Sequence, residues 1–464
     1  MHALTRDPAR ATADPPLRIL QFGGGNFLRG YFDWMVDRMN ERTGFDGGVV
    51  VVKPTASGDY AELRAQEGLF HVLLEGVQGG QHVRETRLVS CVHRVVHPYN
   101  DYAGFLRTAE EESIRYVVSN TTEAGIRFVA EDYPTGGCAA EFPGKLTQWL
   151  QRRWQEGLPG CHHLPLELIE ENGQQLRQCV LRYARHWQLP EAFGKWVEQE
   201  NMFYDTLVDR IVSGYPGNAT ERQQELGYRD QLLVAGEYYH SLVVQGPEEG
   251  IPGLPLAEAG INVTFTDDLR PYRERKVRLL NGAHTAIVPV GYLAGRETVG
   301  EVVDDEELLP YLQHLLYEEI IPTLDQPPGE LTDFADSVLD RFRNPSIHHK
   351  LLDISLNSTT KFRTRLLPSL LAYHRKFGKL PAGIVRALAA LMVFYRGKRG
   401  QEDIPLRDAA DRLVFFRTVW DEMTTTRQVV ERVLGREDWW GQDLNELPGL
   451  TAAVTTTIDQ SEYE

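Results

Sequence analysis

Cysteine is scarce in this chain of 464 residues. The four present (Cys91, Cys138, Cys161, Cys179) are too widely spaced for paired metal knuckles and too few to staple a fold. That excludes a disulfide scaffold and points to a reducing cytoplasm. Also missing is any run approaching the roughly 18 uninterrupted apolar residues of a membrane span, so a soluble chain without a membrane partner is expected. Positive charge is in deficit: 49 Lys and Arg against 66 Asp and Glu leave a net charge of −17. This is the wrong sign for a protein that binds nucleic acid by neutralising phosphates. An anionic small substrate would therefore require a local basic pocket inside an acidic protein. There is no internal repeat, and the opening MHALTRDPARATADPPL has no apolar secretion segment, so residues 1–14 read as a frayed tail.

What is present is an ordinary globular composition, long enough for two domains. In the first half, LRILQF (17–22), GGVVVV (47–52) and IRYVVSN (114–120) are β-branched runs bounded by glycine or polar turns, the pattern of buried parallel strands. Between them, Leu28, Phe32, Met35, Val36 and Met39 recur at helical spacing, as do Phe105 and Leu106. Strand and helix in alternation predict a doubly wound α/β sheet over 15–260. After about residue 265 long amphipathic stretches take over, predicting a mostly α-helical domain over 261–464. The Gly- and Pro-rich QGPEEGIPGLPLAEAG (245–260) is the expected connection.

ILQFGGGNFLRGYF (19–32) places Gly23, Gly24 and Gly25 between the first strand and the first helix. Glycines there let the backbone approach a pyrophosphate at the positive end of the helix, which makes the N-terminal domain Rossmann-like and predicts a dinucleotide. A purely structural turn would look similar. The motif departs from G-x-G-x-x-G, with Leu28 at the third glycine's place and Gly30 two residues late. The second strand ends on Lys53 and Pro54 rather than on an acid for the ribose, so NAD is expected with NADP left open. The expected cofactor contacts are Phe22, Gly23, Gly24, Gly25, Asn26, Phe27, Leu28 and Arg29, with Asn120, Thr121, Thr122 and Glu123 of SNTTEAG (119–125) after the third strand. That second group also fits a helix cap.

RKVRLLNGAHTAIVPVGY (275–292) has the rhythm of a buried helix, with Val277, Leu280, Asn281, His284, Ile287 and Val288 on one face and Pro289 ending or kinking it. A buried amide or imidazole without a partner costs about 1–3 kcal/mol, so Asn281 and His284 need either core hydrogen bonds or a ligand. Gly282 would let something approach closely. Lys276 flanks this face, either as a proton-transfer group or as part of an exposed basic patch. Cys161, His162 and His163 are adjacent and cannot easily converge on one ion, so no metal is expected.

The spacing K-x4-N-x2-H at Lys276, Asn281 and His284 resembles the signature of the polyol-specific long-chain dehydrogenases, the mannitol dehydrogenase family. QFGGGNFLRG, FPGKLTQWL, LELIEENG, NMFYDTLVDRIV, RFRNPSI and LNSTTKFRTRLLPS agree with it in order along the chain. The resemblance implies a metal-independent oxidoreductase with an NAD-binding Rossmann-like domain, a helical domain, and a cleft between them. In it, Lys276 would be the general acid/base, Asn281 and His284 would polarise the reacting oxygen, and Lys361 would bind substrate. Arg365 and His240 are further substrate-binding candidates. Two departures, Leu168 for an asparagine and Asp353 for a substrate-binding arginine, argue against mannitol itself. VSNTTEAGI, YHSLVVQGP and ISLNSTTKFRTRLLPSL point instead to family members that reduce an anionic keto-uronate, with a neutral polyol as the alternative.

Overall fold

The computed structural model describes residues 2–6, 15–122, 124–345 and 349–460. The chain forms two compact units: Met1–Glu75 with Val83–Leu269, and Arg270–Glu464 with Gly76–His82. The first is built on a six-stranded, wholly parallel sheet of β1 (Leu17–Phe22), β2 (Gly48–Val52), β3 (Val92–Val96), β4 (Tyr116–Ser119), β5 (His162–Pro165) and β6 (Met202–Phe203). Their spatial order is β3-β2-β1-β4-β5-β6, that of a doubly wound dinucleotide-binding fold.

Side chains alternate across a strand, and here both faces are covered. Ile19, Val49, Val51 and Val118 join one core with Leu28, Phe32 and Met35, whereas Leu20, Val50, Val52 and Val117 join another with Leu146, Trp149 and Val180. This is why the predicted strands read as continuous apolar runs rather than as alternating ones. Two further sheets lie largely in this unit: one of Val212–Gly214, Val234–Glu237, Phe70–Gln78 and Gln81–Val89, whose hairpin tip Gly76–His82 groups with the second unit, and one of Asp205–Asp209, Ser241–Gln245 and Val263–Thr266.

Three expectations are corrected here. The 245–260 segment is not a linker, because Ile251, Leu254, Leu256 and Ala259 are buried in the first unit and the strand Val263–Thr266 follows it into the same sheet as Ser241–Gln245. The division therefore falls at Leu269, not near 260. Residues 2–6 are not frayed: His2–Ala3 pairs with Tyr228–Arg229, Leu4 is buried, and the Arg6 guanidinium donates to the Ser90 and Val92 carbonyls. The rest of the expected tail, residues 1 and 7–14, lies outside the described residues.

The second unit is helical, as expected. Its core is held by Gly282–Leu293 and Ala382–Phe394, which are buried on nearly all sides. The buried Glu319 carboxylate accepts the Gly383 and Ile384 amides at 2.7 and 2.9 Å, placing an anion at the positive end of the latter helix. Among the described residues no helix is long and apolar enough to cross a membrane.

His163 of β5 is wholly buried, stacked on Phe203 at 4.1 Å, with its Nε2 donating to Asn201 Oδ1 at 3.2 Å. Burial pushes its pKa down to about 3. Its neutral state contributes stability that is full above the unfolded value of about 6.5 and is lost as pH falls toward the folded value, at about 1.4 kcal/mol per pH unit. Chemical denaturation between pH 7 and 5 should show this slope. The His163→Phe variant should lose about one proton's share of it.

Candidate active site

At the carboxyl end of β1 the chain turns through Gly23, Gly24 and Gly25 into helix α1, made of Asn26–Leu28, a π-helical turn Arg29–Asp33, and Trp34–Thr43. Gly23 has φ +115, and a Cβ there would stand 2.9 Å from Leu28 Cδ1 and 3.2 Å from the Asn120 carbonyl oxygen, so only glycine fits. A Cβ on Gly25 would meet nothing within 4 Å, which leaves the outer side of the turn open to a ligand. The first intrahelical bond runs from the Arg29 amide to the Gly25 carbonyl, so the amides before it have no partner within the helix. These features fit a dinucleotide pyrophosphate.

The turn is braced from below. Gln21 Nε2 donates to the Gly23 carbonyl at 3.2 Å and to Asp33 Oδ2 at 3.4 Å, and burial raises the Asp33 carboxyl to about 7. Gly30 takes over the packing role of the absent third glycine: a Cβ there would meet Val234 and Val212 at 2.9 and 3.0 Å. Phe22 is core, against Phe105 and Phe142, and Phe27 stacks on Tyr31 at 4.8 Å. The Arg29 guanidinium is committed to Asn26 Oδ1 and the Leu232 carbonyl.

The loop after β4 stands beside this turn. The Asn120 side chain donates to the Leu166 carbonyl at 2.7 Å, and the Thr121 amide and hydroxyl both reach Glu167 Oε1 at 2.9 Å. Their side chains thus shape the loop, and Glu167, a residue the sequence did not single out, anchors it. Thr122 has a left-handed φ of +77. Glu123 lies outside the described residues. Lys53 directly follows β2, buried, with its ammonium on the Thr55 hydroxyl.

In the second unit Lys276, Asn281 and His284 lie on one continuous helix, α2, made of Arg270–Arg275, a π-helical turn Lys276–Asn281, and Gly282–Leu293. The Gly282 amide reaches back to the Val277 carbonyl, five residues earlier. In an α-helix of about 3.6 residues per turn, positions five apart diverge by roughly 140°. An i→i+5 turn brings positions five apart nearer to one face than an α-helix does, and Lys276 and Asn281 are five apart. Leu280, His284, Ile287 and Val288 are buried, whereas Val277 and Asn281 are half-buried. Pro289 neither ends nor breaks the helix, which continues to Leu293, enclosed by the core. What approaches Gly282 is the protein itself: a Cβ there would meet Leu366 Cδ2 at 3.3 Å and the Arg365 carbonyl at 3.5 Å.

His284 is buried to 6% exposure, its ring centroid 4.3 Å from Phe342 and 5.0 Å from His349. Among the described residues its Nε2 has no hydrogen-bond partner. Burial first, then the positive charges of His349, Arg341, Arg365 and Lys361, hold its pKa well below the usual value, so it is neutral. Two of those four groups, Lys361 and Arg365, are the expected substrate-binding residues and come from α3 (Ser358–Arg365). Lys361 Nζ donates to the Ile354 carbonyl at 2.6 Å, and the Arg365 guanidinium reaches Thr285 Oγ1 at 3.3 Å. Arg363 points to solvent, as the helical spacing requires. Arg341 and His349 were not foreseen. Arg341 had a signal, standing three residues beyond buried Val338 on the apolar face of Pro328–Phe342, whereas His349 had none.

His240 belongs to the first unit, where both ring nitrogens are engaged: Nε2 accepts the Asn262 amide at 3.0 Å and Nδ1 faces the Tyr238 carbonyl at 3.4 Å. Leu168 is exposed, and Asp353 pairs with Arg407 at 3.3 Å. Among the described residues no group of three or more His, Cys, Asp or Glu gathers around a metal-sized point.

A glycine turn at the switch point of a parallel sheet, with a Lys, Asn and His helix in a second unit, defines a Rossmann-type dehydrogenase. The sequence matches the mannitol dehydrogenase Rossmann domain over residues 17–255 and the mannitol dehydrogenase C-terminal domain over 268–462. The chain belongs to the mannitol dehydrogenase family. It is 46% identical to altronate oxidoreductase of Cronobacter sakazakii over 454 residues, covering 96% of this chain and 94% of that protein. It is also 46% identical to the Escherichia coli altronate oxidoreductase over 457 residues, covering 96% and 95%. In fold it resembles D-sorbitol dehydrogenase, with a TM-score of 0.80, 21% identity, and 99% and 95% of the two chains covered. It also resembles Pseudomonas fluorescens mannitol 2-dehydrogenase, solved with NAD and D-mannitol, with a TM-score of 0.68, 22% identity, and 97% and 93% covered.

The Gly23→Ala substitution combines a disfavoured φ with contact to Leu28 and should destabilise the chain by more than about 1 kcal/mol. Urea midpoints and NADH fluorescence should show lower stability and lost dinucleotide binding together.

Proposed function

We propose that this chain reduces D-tagaturonate to D-altronate, reversibly, with NADH as the hydride source. The observation that carries the substrate class is the basic cluster around His284: Arg341, His349, Lys361 and Arg365 gathered in a chain of net charge −17. Such a cluster suits a carboxylate, which a guanidinium can hold bidentately, and has no evident use with a neutral polyol. The near full-length likeness to altronate oxidoreductases supports the same reading. The three groups on α2 need no metal for the chemistry assigned below, and the four free cysteines suit a reducing cytoplasm.

The Gly23–Gly25 turn and the Asn120–Thr122 loop would hold a nicotinamide dinucleotide, which when bound would supply the hydride. The chain's own residues manage the oxygen. The Asn281 amide and the neutral His284, presenting Nε2, hold the ketone oxygen and stabilise the charge that develops on it. Protonated Lys276 donates its proton to that oxygen during reduction, and neutral Lys276 removes it during oxidation. Lys361, with Arg365 beside it, takes the carboxylate end. Arg365 also ties α3 to α2 through Thr285, so binding and proton-transfer groups are held in register.

Lys276→Ala should lower kcat by about 10²–10⁴-fold with NADH binding unchanged. Lys361→Met should chiefly raise KM for the acid substrate. Following NADH absorbance with D-tagaturonate, D-fructuronate and fructose ranks the substrates. Preference for tagaturonate supports the proposal, while turnover of fructuronate or fructose above it would replace it.

A further inference from the structure

The loop after β2 contributes to the glycine turn a residue that the sequence did not single out. Tyr60 sits at the start of the short helix Ala61–Ala65 with φ +56, a left-handed conformation uncommon for a bulky residue. Such strain persists only where the surroundings enforce it. Here the Tyr60 hydroxyl accepts the Gly24 amide at 2.8 Å, and its ring lies against Gly24 so closely that a Cβ there would stand 3.2 and 3.3 Å from ring carbons. The Lys53 ammonium lies 5.1 Å from the ring centroid.

A phenol that accepts one hydrogen bond keeps its own proton to give. Among the described residues the Tyr60 hydroxyl has the Gly24 amide as its only hydrogen-bond partner. The turn is open above Gly25. We propose that Tyr60 is a dinucleotide-binding residue: its hydroxyl, oriented by the Gly24 amide, donates to a pyrophosphate oxygen. It replaces the Gly24 amide as the group presented to the anion. This rests on the dinucleotide reading of the turn given above.

NADH binding by fluorescence, with ADP and adenosine as competitors, tests the idea on the full chain and on Tyr60→Phe, which keeps the ring. A hydrogen bond to a charged oxygen corresponds to at least about tenfold in affinity. The variant should therefore bind NADH and ADP about tenfold or more weakly, with adenosine affinity unchanged. Unchanged or tighter NADH binding would overturn the assignment, making the hydroxyl a spectator or a competitor for Gly24. Equal weakening for adenosine would also overturn it, assigning the effect to ring packing. If the unaltered chain bound no NADH, the functional reading would fall and this one with it.

Discussion

The five-residue hydrogen bond that closes the π-turn at Lys276–Asn281 is the constraint on which the proposed chemistry depends. In a regular helix positions 276 and 281 would diverge widely, and the lysine proposed as proton donor would not accompany the amide and imidazole. The turn inserts one residue into the helix and narrows that divergence. It is tolerable because Gly282–Leu293, which follows, is enclosed by the core and cannot fray. Thr285 and Arg365 both approach the Asn281 carbonyl where the helical ladder is disturbed. A second π-turn, Arg29–Asp33, lies in the helix that carries the glycine turn. Both helices credited with ligand contacts thus depart from α geometry next to those contacts, a common place for such departures.

Electrostatics follow from burial. The chain is acidic overall, yet around His284 it places three permanent or near-permanent cations and a second histidine. Burial and these charges keep His284 neutral, which leaves Nε2 able to serve as a hydrogen-bond partner rather than a counter-charge. Lys361 and Arg365 both have lowered pKa values, with desolvation as the first cause, so they too are partly withdrawn from water. Poorly hydrated cations bind a carboxylate more strongly than solvated ones do.

Much of this was legible in the sequence, for identifiable reasons. β-Branched runs between turns gave the parallel strands because both sheet faces are buried. The 3-to-4 spacing gave the buried helix and the inward positions of Leu280, His284, Ile287 and Val288. What escaped were features set by distant partners. Pro289 reads as a breaker, but a helix enclosed by its neighbours continues past it. The Gly- and Pro-rich stretch 245–260 reads as a linker until Ile251, Leu254 and Leu256 are seen in the core. Gly30 looks misplaced until Val212 and Val234 are found against it. His349 and Tyr60 carry no periodic or motif signal, since only the fold brings them to His284 and to Gly24.

The most direct test is a crystal structure of the chain with NAD and D-altronate bound. The account predicts the hydroxyl oxygen of the carbon to be oxidised within hydrogen-bond reach of Lys276 Nζ, the Asn281 amide and His284 Nε2, with the carboxylate against Lys361 and Arg365. A substrate oxygen held by other groups, with Lys276 turned away from Asn281, would contradict it.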